Sequence, residues 1–106
     1  MNERRSAKRF QVDWQIRVEG DHEIEGSFVE SGVLRNLSSS GALLSLSGPL
    51  ATGTQLHVYI KLPLNDKKWM RYPASVVRVD PGPTAVTAAV RFHSARPDFN
   101  VTLIPM

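Results

Sequence analysis

The sequence predicts an all-β fold, a six-stranded antiparallel β-barrel with at most a short C-terminal helix. Apolar and polar residues alternate in several segments, Gly or Pro separates these segments, and no segment has the apolar spacing of a long helix. Strands that are apolar on one face must stack or close to bury those faces. A barrel does so and also removes exposed strand edges. The chain of 106 residues suits a single domain with one modest core.

Strict alternation is found in three segments, residues 10–18, 55–62 and 86–92. Because successive side chains of a strand point to opposite faces, alternate residues of each segment are expected inside the barrel. The residues predicted to lie inside are Phe10, Trp14, Ile16, Leu56, Val58, Ile60, Val86, Val90 and Phe92. Their neighbours, among them Arg17, Tyr59 and Arg91, are predicted to face outward. Weaker alternation predicts three more strands, at residues 29–37, 42–46 and 70–79.

Basic residues are concentrated at the N-terminus. The first nine residues contain four basic residues and one acid, namely Arg4, Arg5, Lys8 and Arg9 against Glu3. This segment is too polar to pack into a core. We therefore expect residues 1–9 to form a flexible basic arm and residues 10–106 to form the barrel domain.

Composition limits the possible functions. The sequence has no Cys, which excludes disulfides and cysteine chemistry, and it has no apolar stretch of about 18 residues that would span a membrane. No apolar run follows the N-terminal charges as in a signal peptide, so we expect a cytoplasmic protein. Lys and Arg outnumber Asp and Glu by 13 to 10, an excess that favours an anionic partner without implying nucleic acid.

Catalytic signatures are absent from the sequence. The three histidines, His22, His57 and His93, do not have the spacing of metal ligands. The serines at positions 38–40 are not part of a G-x-S-x-G elbow, and no glycine-rich phosphate loop leads into a helix. We therefore expect a binding domain and not an enzyme, with no metal and no cofactor.

Two short motifs stand beside predicted strands. Residues 5–9 read R-x-x-x-R immediately before the first strand, and residues 36–41 read N-x-S-x-x-G between the second and third. Alone, the first motif is typical of a solvated basic tail and the second of a polar turn. Together, in this order and on a six-stranded pattern, they resemble the signature of the PilZ family, whose barrels are of the split type. The resemblance covers the chain from Arg5 to about Phe92.

This resemblance implies a ligand, the bacterial second messenger cyclic di-GMP, which carries two phosphates and two guanines. By the resemblance, Arg5 and Arg9 are the two motif arginines that bind the ligand, and Arg4 is expected to add a phosphate contact. Guanidinium groups suit both roles, because they bind phosphate oxygens bidentately and also pair with O6 and N7 of guanine.

The second motif implies the other half of the site. The N1 and N2 groups of guanine are donors and need an acceptor oxygen, which the resemblance assigns to Asn36. The family motif has Asp or Asn here, so Asn is a permitted variant, and its neutral amide accepts more weakly than a carboxylate. Ser38 offers a hydroxyl group, and Gly41 permits a turn or a close approach that a Cβ would block.

Three functional interpretations remain. The leading one is a cyclic di-GMP receptor or adaptor whose residues 1–9 become ordered on binding and signal to a downstream protein partner. The second is a PilZ-like structural or protein-interaction module that does not bind nucleotide. The third, a basic barrel for single-stranded nucleic acid, is disfavoured because the outward residues are mostly polar, with Tyr59 the clearest exception.

The C-terminal segment departs from the family pattern. Members commonly carry a helix after the last strand, whereas here 14 residues follow Phe92 and two of them are prolines. Asp98 suits the cap of a short helix, but the residues after it alternate like a strand, so both possibilities stay open.

Overall fold

The computed structural model describes residues 10–22, 26–48, 50–62, 65–94 and 96–98, and the structural statements below refer to these residues. Its six strands are β1 (Phe10–His22), β2 (Gly26–Leu37), β3 (Gly41–Leu46), β4 (Gln55–Leu62), β5 (Asn65–Pro81) and β6 (Val86–Phe92). All strand pairs are antiparallel, and the order β1-β2-β3-β6-β5-β4 closes into a barrel through the pairing of β1 with β4. No helix occurs in the described part of the chain. The predicted six-stranded antiparallel barrel is confirmed.

The barrel interior is filled by the alternate apolar residues of every strand. Six of the nine residues predicted to be inside are buried, namely Ile16, Leu56, Val58, Ile60, Val90 and Phe92. Trp14 and Val86 are only half-buried, and the side chain of Phe10 lies outside the described residues. Val86 is less buried than predicted because it is the first residue of β6, at one end of the barrel. Trp14 packs against the core beside an irregularity in β1.

Two aromatic rings stack inside the barrel. Tyr72 on β5 and Phe92 on β6 have ring centroids 3.9 Å apart and planes inclined by 9°. This face-to-face contact fills the interior at the end of β6, where the pairing of β6 with β5 stops at Phe92. Burial raises the pKa of the Tyr72 phenol above its ordinary value.

Tyr59 differs from its expected environment. It lies between the core residues Val58 and Ile60 and so faces outward as predicted, yet it is only 7% exposed. Arg17 on β1 and Arg71 on β5 are its register partners on the two neighbouring strands, and the Arg71 side chain is hydrogen-bonded to Tyr59. An outward aromatic that its neighbours cover cannot serve as a stacking platform for nucleic-acid bases.

The chain beyond β6 continues along the edge of β5. The backbone N–H of Arg71 donates to the Asp98 carbonyl at 3.0 Å, and the N–H of Asp98 donates back to the Arg71 carbonyl at 2.9 Å. Their side chains form an ion pair at 2.6 Å. The hydrogen bond with Tyr59, and after it the charge of Asp98, raises the pKa of Arg71. At Asp98, therefore, the chain is strand-like, whereas residues 99–106, where a helix remained possible, lie outside the described part.

The core assignment predicts the effect of truncating Leu44, which is fully buried. Leu44→Ala should lower the free energy of unfolding by about 2–5 kcal/mol, because it removes apolar contacts and leaves a cavity. Chemical denaturation measures this loss. Val29→Ala is the control, since Val29 is 41% exposed and its truncation should change stability by no more than about 0.5 kcal/mol. Equal losses in the two variants would contradict the described core.

Candidate ligand-binding cleft

A cleft of about 380 Å³ opens on the outer surface of the barrel. The second motif, which spans the end of β2, the turn and the start of β3, forms one side, while Arg78 of β5 and Arg91 of β6 line the other. The volume lies within the range of about 300–1,000 Å³ that is usual for small-molecule sites. Both charged side chains that line the cleft within the described residues are arginines, and no carboxylate lines it there. The cleft therefore favours an anionic or acceptor-rich ligand.

The floor of the cleft is one row of residues across four strands. In this row Asn36 of β2 pairs with Leu43 of β3, Leu43 pairs with Ala89 of β6, and Ala89 pairs with Arg78 of β5. Leu43 and Ala89 are both half-buried and form an apolar middle between two polar ends. Because neighbouring strands are about 4.8 Å apart, the row is roughly 14 Å long. A flat ring can lie on this floor with polar groups at either end.

An irregularity in β2 places Asn36 on this outer surface. Strict alternation would put Asn36 on the same face as buried Leu34. Instead, the register passes from Leu34 opposite Leu44 directly to Asn36 opposite Leu43, so Arg35 is an extra residue in β2. Such a β-bulge reverses the alternation beyond it. Asn36 therefore faces the cleft and not the core.

A second bulge, in β5, places Arg78 on the outer surface. The register passes from Val76 opposite Val90 to Arg78 opposite Ala89, which leaves Val77 as the extra residue. Val76 is buried, whereas the side chain of Arg78 is 62% exposed. Val77 itself is 45% exposed and lines the cleft, an unusual position for a Val that is explained by the bulge.

The start of β1 lies beside the cleft. Gln11 pairs with Asn36, and Phe10 pairs with Leu37, the residue next to the turn. β1, which directly follows the R-x-x-x-R motif in the sequence, therefore begins next to the N-x-S-x-x-G motif, although nearly thirty residues separate positions 10 and 37. The arginines themselves, Arg4, Arg5 and Arg9, lie outside the described residues.

Ser38 shapes the turn of the second motif. Its backbone N–H donates to the Gly41 carbonyl at 2.9 Å, and its Oγ accepts the N–H groups of Gly41 at 3.2 Å and of Ser40 at 3.3 Å. A serine hydroxyl that binds nearby backbone N–H groups stabilises a tight turn. Ser38 also lines the cleft, so its position is consistent with both a structural and a ligand-binding role.

Gly41 is required by the close approach of β3 to β6. A Cβ at this position would overlap with the carbonyl oxygen of Val90 on β6. Gly41 does not have a positive φ, so backbone conformation is not the reason for glycine here. The adjacent Phe92 N–H donates to the Ser40 carbonyl at 2.9 Å, which ties the turn to the end of β6.

The three described residues of the predicted site, Asn36, Ser38 and Gly41, all line the same cleft. Sequence reasoning did not identify Val77, Arg78 and Arg91 as part of it. Alternation correctly predicted that Arg91 faces outward, but the position of β6 beside β3 depends on strand order, which the sequence does not reveal.

Two other kinds of site are not found in the described residues. No group of three or more His, Asp or Glu is arranged there to hold a metal ion. Nor does that part of the chain contain a helix long and apolar enough to cross a membrane.

The fold and the cleft together define a small closed β-barrel domain with a solvent-open, arginine-lined cleft on its outer surface. The chain belongs to the PilZ family, because the model of the PilZ domain matches residues 3–104. No curated protein matches the sequence.

Solved structures with a similar fold share little sequence. The Bacillus subtilis inhibitor of motility (MotI/DgrA) is 18% identical with a TM-score of 0.66, over 88% of this chain and 44% of that one. The PilZ domain of YcgR from Escherichia coli, solved with c-di-GMP, is 15% identical with a TM-score of 0.65, over 86% and 79%. The PilZ domain of CeSA from a cellulose-synthesizing bacterium is 21% identical with a TM-score of 0.57, over 80% and 79%. This chain thus spans less than half of the motility inhibitor.

The close approach at Gly41 predicts a stability effect that is independent of any ligand. Gly41→Ala should lower the free energy of unfolding by about 1–3 kcal/mol, because the added methyl group forces β3 and β6 apart. Thermal or chemical unfolding of the ligand-free protein measures the loss. Ser39→Ala, a change at an exposed position of the same turn, is the matched control and should leave stability nearly unchanged. Wild-type stability of Gly41→Ala would show that β3 and β6 are not in close contact here.

Proposed function

We propose that this PilZ domain is a receptor or adaptor domain for cyclic di-GMP. The observation that carries the proposal is the pairing of Phe10 with Leu37, since β1 begins directly after the R-x-x-x-R motif and its first residue lies beside the N-x-S-x-x-G turn and its cleft. The E. coli YcgR PilZ domain, whose structure was solved with c-di-GMP, supports this ligand class.

The chemistry of the two motifs divides the ligand between them. Arg5 and Arg9, with Arg4 as an added contact, bind phosphate oxygens and guanine acceptors from the arm. Asn36 accepts the N1 and N2 donors of a guanine that lies on the apolar floor of the cleft. The Ser38 hydroxyl adds a polar contact at the same end. The cleft supports an anionic ligand because the charged groups known to line it are arginines.

The proposed signalling follows from the place of the arm in the sequence, directly before β1. In the proposed mechanism, ligand bridges residues 1–9 to the turn, which orders the arm and changes the surface that a downstream protein contacts. The domain then acts in the cytoplasm as a switch and not as an enzyme. The B. subtilis neighbour is named as an inhibitor of motility, and a regulatory role for this fold is consistent with that name.

A second candidate function has specific support. Ser38 and Gly41 both have structural roles, one in the turn and one in the contact between β3 and β6. A barrel that kept this turn for its fold alone would retain much of the second motif without a ligand. That candidate is a PilZ-like module for protein contacts that does not bind nucleotide.

Titration calorimetry tests the proposal directly. The protein should bind cyclic di-GMP, but not GTP or a short single-stranded oligonucleotide. Arg5→Ala or Arg9→Ala should each weaken binding by about 1.5–3 kcal/mol, the usual contribution of a hydrogen bond to a charged group. Lys8→Ala is the matched control, because it removes one positive charge from the same arm outside the motif pattern. Absence of cyclic di-GMP binding would favour the second candidate, and equal losses in all three variants would indicate nonspecific charge attraction.

Asn36 provides a separate test of coupling between the two motifs. In amide NMR spectra, cyclic di-GMP should shift the resonances of residues 36–41 and also those of residues 1–9. Asn36→Ala should reduce both responses together, because the guanine loses its acceptor and the arm loses its anchor. Asn36→Asp places a stronger acceptor at this position and should preserve both responses. Shifts confined to residues 1–9 that fade at high salt would contradict the coupling and indicate nonspecific anion binding.

A further inference from the structure

Most polar side chains that line the cleft already have partners. The hydroxyl groups of Ser38 and Ser40 are hydrogen-bonded to each other at 3.2 Å, and Ser38 also accepts two backbone N–H groups. The guanidinium of Arg78 donates to Asp80 at 3.0 Å. Arg91, by contrast, is exposed and forms no ion pair with any residue that the structure describes. Among the described residues that line the cleft, Arg91 is therefore the strong donor without a partner.

The position of Arg91 suits a group bound between β2 and β6. Arg91 pairs in register with Gly41, which has no side chain to rise above the surface beside Arg91. It lies one outward position beyond Ala89, which forms the floor. Its strand is two strand spacings, or roughly 10 Å, from the strand of Asn36. The long side chain of Arg91 can therefore reach a flat ring that lies on the floor against Asn36.

A guanine in this position has unsatisfied acceptors. Asn36 satisfies the donors N1 and N2. With Arg5 and Arg9 on the phosphates and on the second guanine, O6 and N7 of this guanine still need donors. Arginine pairs with O6 and N7 of guanine through two parallel N–H groups, and adenine disfavours this contact because it carries an amino group in place of O6. We infer that Arg91 donates to O6 and N7 of the guanine held by Asn36, and that it makes the barrel itself selective for guanine. This inference rests on the proposed function.

Arg78 is the weaker candidate for the same role. It lies at the end of the floor row, but its guanidinium is held by Asp80, and both side chains are largely exposed. Asp80 offsets the charge of Arg78 and restrains its guanidinium through Nε, so a ligand can use only the terminal NH2 groups of Arg78, whereas Arg91 is under neither restriction. Arg78→Ala should consequently have a smaller effect on binding than Arg91→Ala.

The test measures binding of cyclic di-GMP and of its analogue with 7-deazaguanine bases, in which carbon replaces N7. Arg91→Ala should weaken binding of cyclic di-GMP about ten- to a hundred-fold, the range expected for loss of a bidentate arginine–guanine pair. Arg96→Ala removes the same charge at an exposed position outside the cleft and should bind like wild type. The affinity ratio between parent ligand and analogue should be at least about fivefold smaller in Arg91→Ala than in wild type, because the two changes remove one contact.

Each result has a distinct meaning. Wild-type affinity in Arg91→Ala would overturn the inference while leaving the proposed function intact. Weaker binding with an unchanged ratio between the two ligands would also overturn it, because Arg91 would then contact a group other than the guanine edge. A wild-type protein that does not bind cyclic di-GMP at all would contradict the proposed function and this inference together. Thermal unfolding of the ligand-free variants should be unchanged, since Arg91 is exposed.

Discussion

The pairing of β1 with β4 closes the sheet, and closure links the register of every strand to that of the others. A slip of one residue in any strand would turn its buried side chains, such as Ile16, Leu44 or Ile60, toward solvent. Full burial of one such side chain contributes about 1.5–3 kcal/mol, so several together make a shifted register unstable. The hydrophobic interior therefore fixes which residues of neighbouring strands are adjacent, and the cleft inherits its arrangement from that register.

Two bulges in this register decide which side chains line the cleft. Each interrupts the alternation by one residue, Arg35 in β2 and Val77 in β5, without disturbing the core on either side. Beyond each bulge a polar side chain that alternation would direct inward, Asn36 or Arg78, faces the same outer cleft. Bulges re-aim side chains at the cost of locally weaker pairing. The ion pair of Arg35 with Asp13 at 2.8 Å links the β2 bulge to β1, although its exposure limits its contribution to stability.

The sequence predicted the fold class and most of the core because regular alternation of apolar and polar residues indicates a strand with one buried face. It predicted less well where alternation fails or where a neighbour decides exposure. Nothing in the local pattern marks Val77 as an extra residue, and so Arg78 could not be assigned to the cleft. Tyr59 was correctly predicted to face outward, but its burial arises between β1 and β5, which the sequence does not reveal as its neighbours. The motif alone predicted the site residues Asn36, Ser38 and Gly41. The cleft that they line could not be predicted from the sequence.

The residues of the second motif differ in what the fold itself requires of them. Gly41 is needed for the contact between β3 and β6, and Ser38 for the turn, so both have a structural reason to be present without a ligand. Asn36 has no such reason, because no hydrogen bond ties its side chain to another residue in the described part of the chain. The same holds for Arg91, whose side chain has no hydrogen bond to another described residue. A polar side chain that lines a cleft without a hydrogen-bond partner from the fold is available to a ligand. Substitution of Asn36 or Arg91 is therefore the change that separates a receptor from a barrel that retains the motif for its fold alone.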